Sequence, residues 1–151
     1  MTFMCLFMQD EALVSQDERV PIALWAFCHP TELCHLDSYL RRQKGIRYGL
    51  KRAGDHVFSE EDMYECQKEL AGITLVKQHG GDKVVVPPGL AHAVVNLSAC
   101  MKIAWDVLDH KELSQCIHAW RHFICPWFKG EPNHVNVDHV LVQGVYATSK
   151  Q

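Results

Sequence analysis

The sequence predicts an α+β fold in which strands predominate. Short apolar runs separated by turn residues recur between residues 73 and 107, whereas residues 31–44 and 59–72 space their apolar side chains as helices do. The chain has 151 residues, of which 48% are hydrophobic and 22% charged, which is sufficient for one buried core. We therefore expect a single domain over residues 1–151.

Charge and cysteine content narrow the class of protein. The formal net charge of −3 gives no basic stripe for a phosphate backbone, so we expect no direct nucleic-acid binding. The seven cysteines are an odd number without a C-x-x-C pair, which favours thiols in a reducing, intracellular compartment. The apolar opening MTFMCLFM is too short to cross a membrane and lacks the features of a signal peptide, so we interpret it as a strand.

The first half of the chain predicts two strands and two helices. An acidic loop over residues 9–20 separates the opening strand from a second apolar strand at 22–27. Thr31 is expected to cap a helix that runs to about Lys44 and stops at Gly45. After a loop over 45–58, Ser59 and Asp62 have the spacing of a helix cap, and this helix should end near Gly72.

The second half predicts strands followed by a helix. Residues 73–78 and 83–86 are expected to form a hairpin, because the glycines of the intervening HGGD suit a tight turn. Strands at 92–97 and 101–107 should follow, and then a helix from Asp109 or His110 to about Phe123. The tail after Gly130 fits either a helix or a strand.

The segment of greatest functional interest is residues 81–107, GDKVVVPPGLAHAVVNLSACMKIAWDV. A strand, a Pro-Pro-Gly turn and a histidine that opens the next strand would direct the imidazole of His92 into the mouth of a barrel. The layout resembles the last metal-ligand segment of JmjC domains, in particular the hairless-related histone H3 lysine demethylase subgroup. The matching residues are Gly81, Asp82, Val84, Pro87, Gly89, His92, Val94, Asn96, Leu97, Cys100, Lys102 and Asp106.

The resemblance extends over residues 20–148 and is strongest at 81–107. IALWAF at 22–27 is similar to the family's A-L-W strand, and TELCHLDSYLRR at 31–42 is similar to the helix after it. Asn133 and His134 with the residues after them resemble the family's C-terminal helix, which favours a helix for the ambiguous tail.

The resemblance implies the C-terminal half of a double-stranded β-helix, of the cupin or jelly-roll type, with flanking helices. In such a fold two histidines and one carboxylate hold Fe(II), which works with 2-oxoglutarate and O₂. Only His92 lies in a matching context, and we expect the H-x-D/E pair upstream of Met1. Asn96 and Lys102 are candidates to bind the dicarboxylate co-substrate.

Two other groups of residues have metal-ligand spacing. The only literal H-x-D is His35-Leu36-Asp37, but it falls on the predicted helix, so we interpret it as two solvated helix residues rather than the missing pair. His118, His122 and Cys125 have the helical spacing that zinc sites use, without a second ligand-bearing element. The same helix carries an apolar stripe, more simply read as core: Leu113, Ile117, Trp120 and Ile124.

Three functions remain open. The first is a nuclear histone lysine demethylase of the JmjC type, acting on a histone tail or another methyl-lysine peptide, here truncated and expected to be inactive alone. The second is a non-catalytic JmjC-derived module that acts through protein contacts, and the third is a cupin-like binder that uses His92 and an unrelated metal. Missing coding sequence upstream would favour the first, a true start at Met1 the second, and stoichiometric metal in the purified chain the third.

Overall fold

The computed structural model describes residues 2–8, 20–50, 53, 56–87, 89–107, 111, 113–119 and 121–122. It confirms a mixed α+β architecture of antiparallel strands and helices. The described elements, in chain order, are β1 (Thr2–Met8), β2 (Ala23–Cys28), α1 (Leu33–Arg42), α2 (Glu60–Glu69), β3 (Ile73–Gln78), β4 (Lys83–Val86), β5 (Ala91–Asn96), β6 (Met101–Val107) and α3 (Leu113–Ala119). The predictions for the acidic loop over 9–19 and for the tail after Gly130 lie outside the described residues.

The described strands form two antiparallel sheets of three strands each. Sheet I has the order β4-β1-β6, so the opening strand lies at its centre. Sheet II has the order β3-β2-β5, with the A-L-W strand at its centre. The prediction that MTFMCLFM forms a strand is confirmed.

The predicted hairpin of residues 73–78 and 83–86 is wrong in its pairing. β3 pairs with β2 in sheet II, and β4 pairs with β1 in sheet I. The tight turn itself is present, because the His79 backbone N–H donates to Asp82 Oδ2 at 2.9 Å and Gly81 has φ +82°. The turn therefore carries the chain from one sheet to the other, and the strands from β3 to β6 alternate between the two sheets.

The inner faces of the two sheets share a hydrophobic core. Trp25 of sheet II and Val86 of sheet I belong to the same buried cluster, which also contains Ile22 and Ala23. Five half-buried residues pack against this cluster: Phe27, Val84, Leu90, Val94 and Cys100. Burial of this apolar surface holds the sheets face to face.

The outer face of sheet II is covered by the helical region. Cys28 and Ile73 of the sheet pack with Leu33, Tyr39 and Leu40 of α1. Alternate residues of β2 therefore serve two cores, because successive side chains of a strand point to opposite faces. This explains why the A-L-W strand is buried almost throughout.

The helix ends follow local chemistry, with one correction. Ser59 and Asp62 form the predicted capping box, and Gly45 has φ +65° after α1. Thr31 is not a cap, because a short 3₁₀ turn over Pro30–Glu32 precedes α1 and His29 caps that turn. Pro30 fits the first position of the turn, where no N–H is required, so the helical segment begins earlier than expected.

The outer face of sheet I is apolar and exposed. Val85 of β4 and Trp105 of β6 both pair with Met4 of β1, one on each side of that strand. Ile103 and Met101 lie on the same face of β6 as Trp105. These four side chains are between 40% and 68% exposed.

Among the described helices, none is long and apolar enough to cross a membrane.

Candidate functional site

His92 lies on the inner face of sheet II, beside two aromatic rings. It pairs with Phe27 across the β5–β2 ladder, and its ring centre is 5.9 Å from that of Trp25 at an angle of 30°. The Trp25 and Phe27 rings are stacked, with their centres 5.8 Å apart. The turn closed by the Leu90 N–H on the Pro87 carbonyl leads into β5 and brings the imidazole beside these rings, and its role as a metal ligand stays a prediction.

A buried hydrogen-bond chain fixes the aromatic neighbour of His92. Trp25 Nε1 donates to Gln78 Oε1 at 2.6 Å, and Gln78 Nε2 donates to the Asp82 carbonyl oxygen at 2.8 Å. Trp25 and Gln78 are each 1% exposed. The indole is therefore held from the end of β3 and from the turn that follows it, which restricts the wall against which the imidazole packs.

The surroundings of His92 favour its neutral form. The residue keeps an exposed edge, yet the protein around the ring removes enough water to lower the pKa of the imidazole. A hydrogen bond to the Leu90 carbonyl acts in the opposite direction and is the smaller effect. Nδ1 lies 3.3 Å from that carbonyl oxygen, so Nδ1 carries the hydrogen and Nε2 the lone pair that a metal needs.

The described residues do not complete an iron site around His92. Across the part of the chain that the structure describes, no three His, Cys, Asp or Glu side chains come together as metal ligands. A facial triad needs two histidines and a carboxylate on one side of the metal. His92 alone therefore does not fit the Fe(II) centre that the family resemblance implies.

The literal H-x-D, His35-Leu36-Asp37, lies on α1, which packs against the outer face of sheet II rather than the inner face that carries His92. His35 is exposed and contacts Glu32 at 2.8 Å, as expected for a solvated helix residue. The same expectation is wrong for Asp37, which is 9% exposed and accepts from Arg41 Nε at 2.7 Å and from the Leu50 backbone N–H at 2.9 Å. Asp37 anchors the loop after α1, on the helix-covered side of sheet II.

Asn96 and Lys102, the two candidate co-substrate residues, lie on different sheets. Asn96 shares the inner face of β5 with His92 and pairs with Ala23, and it is exposed. Lys102 lies on β6 at a register position on the same face of sheet I as Val84 and Val86, and it is exposed. Both positions border the space between the sheets, and the binding roles of the two residues stay predictions.

The predicted helix after the strands is present over the described residues of α3. Leu113 and Ile117 of the predicted stripe are half-buried, whereas Cys116, which the stripe did not include, is 3% exposed. The rings of His118 and His122 have centres 4.5 Å apart. Cys125, the third member of the predicted zinc spacing, lies outside the described residues, as do the side chains of Trp120 and Ile124.

Comparison with known protein families gives a match over the segment that carries His92. The family model described as "JmjC domain, hydroxylase" matches residues 27–107, just over half of the chain, and spans the segment from the end of β2 to β6. A search of curated proteins gave no match. The matching family implies a cupin-type fold, with which the antiparallel strands and helices are compatible, and the chain belongs to the JmjC domain family. That family is one of dioxygenases that generally use Fe(II) and 2-oxoglutarate.

Proposed function

We propose that this chain supplies His92 as one metal ligand of a JmjC Fe(II)/2-oxoglutarate oxygenase of the histone lysine demethylase type. The observation that carries the proposal is a neutral imidazole on the inner face of β5, within the segment that matches the family. Among the described residues no three possible ligands come together, so we propose that the chain is inactive unless the other two iron ligands come from elsewhere.

We further propose that the complete domain is a double-stranded β-helix. The alternation of β3, β4, β5 and β6 between two sheets supports it, because that order is typical of jelly-roll folds. Among the described strands, β5 has a partner only on its β2 side. A strand added at the other edge of β5 would lie beside His92, and we assign the missing H-x-D/E pair to such a strand.

The proposed substrate is the N-methyl group of a lysine in a histone tail or a similar peptide, which implies a nuclear protein. The support is the resemblance of residues 81–107 to the hairless-related demethylase subgroup. The bound metal and co-substrate would supply the oxidising chemistry. Asn96 and Lys102 would help to hold 2-oxoglutarate, since an amide and an ammonium group are suitable partners for a dicarboxylate.

The experiment compares the chain as it stands with a form extended by the coding sequence 5′ of the Met1 codon. Ni(II) or Fe(II) binding and the formation of succinate from 2-oxoglutarate are measured for both. We expect weak metal binding in the chain alone, little changed by His92→Ala, and a one-to-one site with turnover in the extended form. There His92→Ala should abolish turnover and the metal equivalent that the extension adds, whereas His35→Ala, an exposed histidine on α1, should not.

Two results would contradict the proposal. Tight one-to-one metal binding by the chain alone, lost in His92→Ala, would favour a cupin-like binder with an unrelated metal. An in-frame stop directly before Met1, with no H-x-D/E in the preceding exons, would favour a non-catalytic module. The exposed apolar outer face of sheet I is the observation that keeps the second candidate open, because such a face suits protein contacts.

A further inference from the structure

We propose that His118 and His122 form a second metal site, independent of His92, that binds a divalent ion of the late first-row transition series. His118 lies in α3, and His122 lies in the helical turn that follows it. Both side chains are exposed, and their ring centres are 4.5 Å apart with an angle of 38° between the planes. The proposal rests on this juxtaposition.

The separation of the rings suits a shared ion. Histidine nitrogens bind zinc at about 2.0–2.1 Å, so two nitrogens on one ion lie roughly 3–3.5 Å apart and their ring centres roughly 5 Å apart. Residues four apart on a helix share one face, so small side-chain rotations suffice to direct both nitrogens at a common point. The fold therefore largely arranges the pair before any ion arrives.

The chemistry of the donors indicates the class of metal. Imidazole suits Zn(II), Ni(II) and Cu(II), and affinity at a site of this type generally rises to a maximum at Cu(II). No third ligand group accompanies the pair within the described part of the chain, so water would fill the remaining positions. Exposed Arg121 beside His122 adds a like charge that weakens binding. We therefore expect a weak, exchangeable site that binds Cu(II) most tightly.

The new site and the family site are separable by substitution. His92 lies on β5, on the inner face of sheet II, whereas His118 and His122 lie on and just after α3. Metal binding that persists in His92→Ala should therefore depend on His118 and His122. This assignment does not depend on the proposed oxygenase function.

The test is a titration of the full chain with Cu(II) and with Zn(II), at low micromolar protein, against a chromogenic competing chelator. We expect one equivalent bound, and a loss of about tenfold or more in affinity for His118→Ala and for His122→Ala. His35→Ala and His92→Ala should match the wild type. The Cu(II) electron paramagnetic resonance spectrum should show coupling to two imidazole nitrogens, reduced to one in either single variant.

Wild-type affinity in both helix variants would overturn the proposal, and so would loss of the equivalent in His92→Ala. Because both side chains are exposed, the alanine variants should keep the helical circular dichroism of the parent. The conservative variants His118→Gln and His122→Gln give a second measurement, since glutamine keeps a polar side chain but removes the imidazole nitrogen. They should lose the metal as the alanine variants do, and retention of it would also refute the site.

Discussion

Substitution of Gln78 by leucine should destabilise the fold more than the similar size of the two side chains suggests, because Gln78 holds Trp25, the ring that contacts His92. Gln78 is 1% exposed, accepts a hydrogen bond from Trp25 Nε1 at 2.6 Å and donates one to the Asp82 carbonyl at 2.8 Å. Leucine has a similar volume and no polar atoms, so it leaves both partners without these bonds. The buried indole N–H is the more costly loss, because Trp25 is only 1% exposed to solvent.

The magnitude follows from the two lost bonds. A buried donor deprived of its acceptor costs roughly 1–3 kcal/mol, and a further hydrogen bond at a half-buried carbonyl contributes roughly 0.5–1.5 kcal/mol. We expect Gln78→Leu to lower the free energy of unfolding by about 2–4 kcal/mol. For a chain of this size that corresponds to a fall in Tm of roughly 5–15 °C.

The assay is urea denaturation with thermal melts, at one protein concentration for all variants. Gln67→Leu is the matched control, because Gln67 is an exposed residue of α2, and its effect should stay within about 0.5 kcal/mol. Trp25→Phe in the Gln78→Leu background should cost less than in the wild type, because the indole N–H is then absent. Equal losses for Gln78→Leu and Gln67→Leu, or strict additivity of the double variant, would refute the reasoning.

Three further predictions concern the loop after α1, acid stability and association. Gly49→Ala should destabilise the fold markedly, because Gly49 has φ +54° and an added Cβ would overlap the Asp37 carboxylate. The control Gly45→Ala, at φ +65°, places its Cβ in open space and should cost only the backbone strain. Equal losses of stability for the two variants in urea melts would refute the overlap. The hydrogen bond from Lys44 lowers the pKa of Asp62 to about 2. The stability that the Asp62 carboxylate contributes is therefore complete above about pH 4 and is lost as the pH falls towards 2. A pH series in which Asp62→Asn loses stability equally at about pH 2 and pH 6 would contradict this. Among the described strands, β5 and β6 lie at sheet edges, so the chain alone should self-associate. Lysine substitutions in β6 should reduce this association in sedimentation experiments. A monodisperse monomer with a cooperative melt would count against the prediction.

Features fixed by neighbours in the sequence were predictable. The capping box of Ser59 and Asp62 depends on a three-residue spacing, and the stop at Gly45 depends on a backbone conformation that glycine adopts readily. The strand that begins near His92 was predictable in the same way, because it directly follows a turn at Gly89. Each of these predictions needed only a few consecutive residues.

Features fixed across the fold were missed. The alternation of apolar residues predicts that β3 and β4 are strands, but it does not say that their partners are β2 and β1. Asp37 read as a solvated helix residue, because its acceptor role depends on Leu50, thirteen residues further along the chain. Gln78 ended a predicted strand, and nothing local marked it as the buried partner of Trp25.

The buried residues that stabilise the inner face are distinct from His92, the proposed metal ligand, and this separation allows the proposed role to be tested. Trp25 and Gln78 satisfy each other without a metal, and the same wall lowers the pKa of His92 so that its imidazole is neutral before any ion binds. Because His92 keeps an exposed edge, its replacement by alanine should leave the core nearly intact. A loss of turnover in His92→Ala, at unchanged stability in an extended form of the chain, would therefore report on the missing ligand and not on a damaged fold.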